Sequence, residues 1–143
     1  KNMEELRQDV AIQVKCFIKE YLASHLDKKD PFRSTGQAYI QLTKEEPHLF
    51  KIFILHKRNG ISSLEDLYQT EADEQIPIFL SQHFNISITQ AKQLHLDMLI
   101  YTIGIGTIFS VTTPGISSDE ILAQQERIYQ ILIKNILEGN HES

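Results

Sequence analysis

Between Asp97 and Asp119 the chain carries no charged side chain. Within that span Met98 to Val111 reads as a helix that is apolar on almost every side. At about 100° per residue, Leu99, Ile100, Ile103, Ile105, Ile108 and Phe109 point in all directions. A surface helix needs only one apolar stripe, so this one has to be covered all round. A membrane span would need ~20 such residues. Here the run is shorter, holds Gly104, Gly106, Thr107 and Ser110, and ends at Pro114-Gly115. The cover then comes either from the helix's own domain or from a second subunit.

The last helix decides between them. Ser117-x-x-Glu120 is a capping box that opens it, and Gly139 is the expected stop. Ile121, Leu122, Ile128, Tyr129, Leu132, Ile133, Ile136 and Leu137 cover about half its circumference, where one-sided packing needs a stripe of only ~100°. The excess implies two neighbours. Pro114-Gly115 makes a short turn, so the central and last helices are expected to be antiparallel. Such a hairpin pairs most simply with a copy of itself across a two-fold axis, making a four-helix bundle. The expected seam comprises Gly104, Ile105, Ile108 and Phe109 with Ile121, Leu122, Gln125, Ile128, Tyr129 and Leu132. Gly104 and Gly106 would allow close backbone approach there, although glycines inside a domain do the same.

The 143 residues are the size of one domain, and 1–143 reads as a single domain. A formal net charge of −5, with basic residues scattered, argues against nucleic-acid binding by this stretch itself. One cysteine, Cys16, excludes an intrachain disulfide and favours the cytoplasm. The sequence opens on Lys1-Asn2 rather than methionine and has no signal-peptide pattern, so an upstream segment is expected.

Asn2, with Glu5 three residues on, caps a first helix to about Ser24 or His25, in which Leu6, Val10, Val14, Phe17, Ile18 and Tyr21 recur at helical steps. Asp30-Pro31 starts the second helix, with Phe32, Ala38, Tyr39 and Leu42 on its apolar side. Glu46-Pro47 breaks it, and Pro47 opens a short third helix that Asn59-Gly60 stops. Ile61 to Gln69 reads as a loop with at most a helical turn at Leu64-Tyr68. A fourth helix starts between Thr70 and Pro77, and the capping box Ser87-x-x-Gln90 opens the central one. No strand-like alternation persists. The fold is all-α, with six or so helices.

Catalytic and metal motifs are nearly absent. Glu45-x-x-His48 has di-iron spacing, but such sites need the motif twice plus two more carboxylates, and Pro47 breaks the helix between them. His95 and Asp97 lie about 200° apart on one helix and would not share a metal. Cys16 reads as a small core residue rather than a nucleophile. No enzyme, cofactor or metal is expected. A pocket is the better candidate, because Ala91, His95, Met98, Thr102 and Ile105 share one face of the central helix and mix polar with soft groups. Tyr39, Phe50 and Phe53 are spread over neighbouring helices, with Tyr101 on the central one. An ordinary aromatic core, with His95 satisfied inside it, would leave the same trace.

Two segments add a resemblance. Lys1-Asn2-Met3-Glu4-Glu5-Leu6 resembles the junction that closes the helix-turn-helix domain of TetR-family transcriptional regulators, with Met3 where the family often has lysine. Ala38-Tyr39-Ile40 through Glu46-Pro47-His48-Leu49-Phe50 is similar to that family's helix, proline break and short helix. The order of helices, ending in a long antiparallel pair, resembles its regulatory domain across essentially the whole chain. The DNA-reading domain that would precede Lys1 is not in this sequence. The resemblance implies an effector-binding and dimerisation domain of a repressor, meeting operator DNA only through the absent domain. The implied effector is a small apolar or aromatic compound, lodged against Cys16, Phe17, Tyr39, Phe50, Phe53, His95, Met98 and Thr102, with the first helix as a lever to the DNA-reading heads. A stand-alone helical dimerisation or adaptor module is the rival expectation.

Overall fold

The computed structural model describes residues 2–112 and 115–142, the last three of these as backbone only. Seven helices and no strand are found among them: α1 (Met3–Ser24), α2 (Pro31–Glu45), α3 (Pro47–Leu55), α4 (Leu64–Glu71), α5 (Gln75–Phe84), α6 (Ile88–Ser110) and α7 (Ser118–Glu142). The fold is all-α. Lys1 of the junction motif and Pro114 of the expected turn lie outside the described residues.

Most helix starts are set by local caps. Asn2, Asp30 and Ser63 each accept a backbone N–H from three residues on. At α6 both halves of the capping box form, with the Ser87 side chain bound by the Gln90 amide and the Gln90 side chain by the Ser87 amide. At α7 the Ser117 hydroxyl accepts from the Glu120 amide.

Three boundaries differ from expectation. The Ser62–Ser63 region is a true helix start, because the Asp66 carboxylate also binds the Ser62 amide and hydroxyl, so α4 runs two turns rather than one. Helix α3 ends at Leu55, ahead of Asn59-Gly60, because the Arg58 guanidinium folds back and donates to the carbonyls of Phe53 and Ile54. Helix α7 runs through Gly139. A glycine stops a helix by turning left-handed, and among the described residues only Asn85, Gly60 and Gly115 have positive φ.

Helix α6 is the centre. It packs most broadly on α2 and α5, then on α7, and touches α3. Phe109 groups with Ile121, Thr102 bonds Gln125, and Leu94 and Met98 group with Tyr129 and Ile133. Pairing in that reversed order makes α6 and α7 antiparallel. One core cluster joins Phe32, Ile76, Leu80, Leu94, Met98 and Tyr129. A second joins Val14, Ile18, Leu42, Phe50 and Phe53 from α1, α2 and α3. Gly106 serves this interior rather than a seam: a Cβ there would stand 2.9 Å from Thr43 Cγ2 and 3.3 Å from Phe50 Cζ.

The cover of α6 is incomplete. Ile100 is 48% exposed, Ile108 58% and Val111 62%, and with exposed Gly104 they form one stripe at helical spacing. On α1 only Val14 and Ile18 are buried, while Cys16, expected in the core, is exposed, and Phe17 is 40% exposed. The arc of α1 that faces α2 and α3 is narrower than its apolar residues suggest. No helix among the described residues is long and apolar enough to cross a membrane.

Candidate functional site

A cavity of about 60 Å³ lies between α2, α6 and α7, with Ile76 of α5 contributing. Tyr39, His95, Met98 and Thr102 line it as expected residues of a pocket. Leu122, Gln125 and Tyr129, assigned by the apolar pattern to a seam, line it as well. Phe32, Arg33, Thr35, Gly36, Gln37, Leu99 and Glu126 complete the wall.

The other expected pocket residues lie elsewhere. Phe50 and Phe53 sit in the second core cluster, where Ile103 of α6 also packs. Cys16 and Phe17 look outward from α1, which does not reach the cavity. Of the other expected seam residues, Phe109 and Ile121 are buried in a third cluster and Ile105 packs against it. Ile128 and Leu132 pack partly buried on the first cluster, whereas Gly104 and Ile108 remain exposed.

Each polar group in the cavity is placed by its own element. Gln125 occupies a four-residue stripe on α7 with Ile121, Tyr129 and Ile133, so its side chain is turned inward with theirs. Its amide nitrogen donates to Thr102 Oγ1 at 3.0 Å and to the Gly36 carbonyl at 3.2 Å. Gly36 eases that approach, because a Cβ there would lie 3.1 Å from the same nitrogen and the Gln125 side chain would have to give by a few tenths of an ångström.

His95 is 8% exposed, and its Nδ1 lies 2.8 Å from the Tyr68 hydroxyl. The Phe32 ring meets it edge-on, with centroids 5.9 Å apart. Burial pushes its pKa down to about 4, with Asp73 pulling weakly the other way, so the ring is neutral near pH 7. Burial also pushes the Tyr68 hydroxyl up to about 12.

In the cavity wall an ion pair ties α2 to α7. Arg33 Nε and Nη2 both donate to the Glu126 carboxylate, Nη2 at 2.9 Å, and Nη1 donates to Asp30 at 3.0 Å. The guanidinium also lies 4.8 Å from the Tyr129 ring centroid. Donating to the Glu126 carboxylate raises the Arg33 pKa further. Burial works to raise that of Glu126, but bonds from Arg33 and Gln130 outweigh it and leave it lowered. Both partners are part-exposed, so the pair adds little to the stability of the fold.

The neutral His95 gives a pH prediction. The unfolded chain takes up its proton near 6.5 and the folded one only near 4. The stability it contributes is therefore complete above pH 6.5 and is lost as pH falls toward 4, by about 3 kcal/mol. Denaturation midpoints over this range should fall more steeply for the native chain than for His95→Phe. Parallel slopes would show that His95 protonates freely in the fold.

An open trough of about 890 Å³ lies between α1 and α3, walled by Leu6, Val10, Ile12, Ile52 and Leu55 with Arg7, Lys15, Lys51 and Lys57 around it. It is an exposed surface and brings no buried polar group together. Among the described residues no cluster of three or more His, Cys, Asp or Glu is placed to hold a metal ion. The groups that converge on the cavity can bind and orient a guest: a neutral imidazole, an amide, two phenols and a methionine. Comparison with protein-family models, with curated proteins and with solved structures returns no match for this chain.

Proposed function

We propose that this chain is the ligand-sensing and dimerisation domain of a TetR-like transcriptional regulator, a repressor released from DNA by a small molecule. One observation carries the reading: α6 walls a cavity with His95, Met98 and Thr102 while its far side exposes the apolar stripe of Ile100, Gly104 and Ile108. A single helix then joins a guest's contacts to a subunit seam, which is what a sensor needs if binding is to shift one quaternary arrangement against another. The junction-like motif at Lys1–Leu6 and the helix–proline–helix segment Ala38–Phe50 support the same family.

In such a regulator DNA is read by a three-helix domain joined ahead of α1, and two heads must match half-sites about 34 Å apart or a multiple of that. The uncovered trough of Leu6, Val10, Ile12, Ile52 and Leu55 is a face that such a domain would cover. Because α1 packs on α2 and α3 rather than on the cavity, the lever is indirect: α2 carries Arg33, Gly36 and Tyr39 in the cavity wall and passes movement to α1. A bias of a few kcal/mol between the two arrangements suffices.

The test is sedimentation and DNA binding of the 143-residue chain alone and joined to a helix-turn-helix domain ahead of Lys1. Alone it is expected to dimerise and leave DNA unbound. Joined, it is expected to bind an operator and to release it when a cavity ligand is added. A dimer that neither binds a cavity ligand nor gates the joined domain would instead favour a plain dimerisation module.

A further inference from the structure

We propose that α4 is a hinged strap beside the cavity, which lifts as a unit while the other six helices stay folded and so opens that space to solvent. As a gate for an effector it rests on the reading above.

Helix α4 is the least embedded of the seven. Tyr68 is the one buried residue among its eight, and no side chain of α4 joins any of the three apolar clusters. Every other helix packs broadly on at least one neighbour, whereas α4 does so on none among the described residues. Segments with so few buried apolar contacts open locally, well short of global unfolding.

Two polar side chains tie it down instead. Tyr68 and Glu71 stand three residues apart and share one face of α4. The Tyr68 hydroxyl lies 2.8 Å from His95 Nδ1, and the two rings are perpendicular with centroids 5.2 Å apart. The Glu71 carboxylate accepts from Arg58 Nε at 2.5 Å, with the two side chains only 8% and 20% exposed. Arg58 is itself fixed at the end of α3, donating to the carbonyls of Phe53 and Ile54 and lying over the Phe53 ring. Side-chain bonds thus strap α4 between α3 and α6.

Both ties stand against the cavity wall. His95 lines the cavity, and so does Tyr39, whose hydroxyl is pushed up to about 12 first by burial and then by the Glu71 charge, with Arg58 opposing. A space of about 60 Å³ is far below the ~300–1,000 Å³ of small-molecule sites, so an effector site here has to open. Helices α2, α6 and α7 are locked into the apolar clusters, and α4 is not. Hinges flank it: the turn at Gly60, with φ +78° and open space where a Cβ would stand, and residues 72–74 ahead of α5.

Amide exchange and thiol labelling of the 143-residue chain test the strap without a ligand, so the effector reading can fail separately. Under conditions where exchange follows the opening equilibrium, the amides of Tyr68, Gln69, Thr70 and Glu71 are expected to open together. They should do so at least about a hundredfold more often than those of Leu94 and Met98 on α6, and with little dependence on urea. Tyr68→Phe and Glu71→Gln should each raise that opening about tenfold. Ile40→Val, in a cluster that α4 does not join, should speed exchange in α6 by up to about tenfold and leave α4 unchanged. With Cys16→Ser removing the exposed thiol, Met98→Cys should be labelled by a thiol reagent as often as the strap opens, again with little dependence on urea. Thr102→Cys is the second position if Met98→Cys does not fold. Exchange of α4 only together with α6, or amides that fray singly and ignore Tyr68→Phe, would overturn the strap. Labelling only on global unfolding would overturn its role as the gate.

Discussion

Phe50→Ala is expected to destabilise the chain by about 3–5 kcal/mol, a large share of the roughly 5–15 kcal/mol that holds a domain of this size together. Phe50 is 1% exposed and stands where four helices meet. Val14 and Ile18 of α1, Leu42 of α2 and Phe53 of α3 surround it, and the edge of its ring fits the space left by the missing side chain of Gly106 on α6. Truncation leaves a cavity that cannot collapse, because α6 is held in place by α2 and α5 and does not follow the lost ring. Urea denaturation should show a lower midpoint with an unchanged slope. The companion variant Phe50→Leu keeps most of the volume and should lose less than about 1.5 kcal/mol. Its affinity for a guest in the α2–α6–α7 cavity should equal that of the native chain, since Phe50 does not line that space. Lost binding in a well-folded Phe50→Leu would extend the site into the second cluster.

That contrast marks how far the sequence could be read. Helix starts were legible because capping is local: Asn2, Asp30 and Ser87 each declare themselves within four residues. The class of fold followed from the helical period and the lack of alternation. The pocket face of α6 was legible in part: of Ala91, His95, Met98, Thr102 and Ile105, His95, Met98 and Thr102 line the cavity, whereas Ala91 is buried in the first core cluster and Ile105 packs on the third. What local pattern does not contain is which helix each apolar arc meets. The surplus arc on α7 was expected at a seam, yet Gln125 and Tyr129 turn into the cavity of their own chain. A polar residue set in the stripe of Ile121, Tyr129 and Ile133 was the available signal. Arg33 and Glu126 gave none, because their pairing depends on the register of two helices 93 residues apart. Cys16 and Phe17 failed for the same reason, since nothing in α1 says how wide an arc its neighbours cover.

Ile108→Glu is expected to convert a dimer of this chain into a monomer while leaving the fold of each copy intact. Within one chain Ile108 is 58% exposed, so a carboxylate there stays in water and should change stability by no more than about 0.5 kcal/mol. At a two-fold seam the same change acts twice: each copy buries a charge, and the two charges face one another. Even a few kcal/mol per carboxylate weakens association by roughly three orders of magnitude or more. Sedimentation velocity separates these outcomes, with the native chain running as a dimer and the variant as a monomer. The neighbouring glycine supplies an independent reading of the same surface. A Cβ at Gly104 meets nothing within 4 Å in one chain, so Gly104→Ala in an uncovered helix should raise stability by up to about 1 kcal/mol. Against a second copy the added methyl has to displace a packed backbone, and the sign reverses. A native chain that sediments as a monomer and gains stability from Gly104→Ala would leave the stripe facing solvent and remove the seam from the proposed regulator.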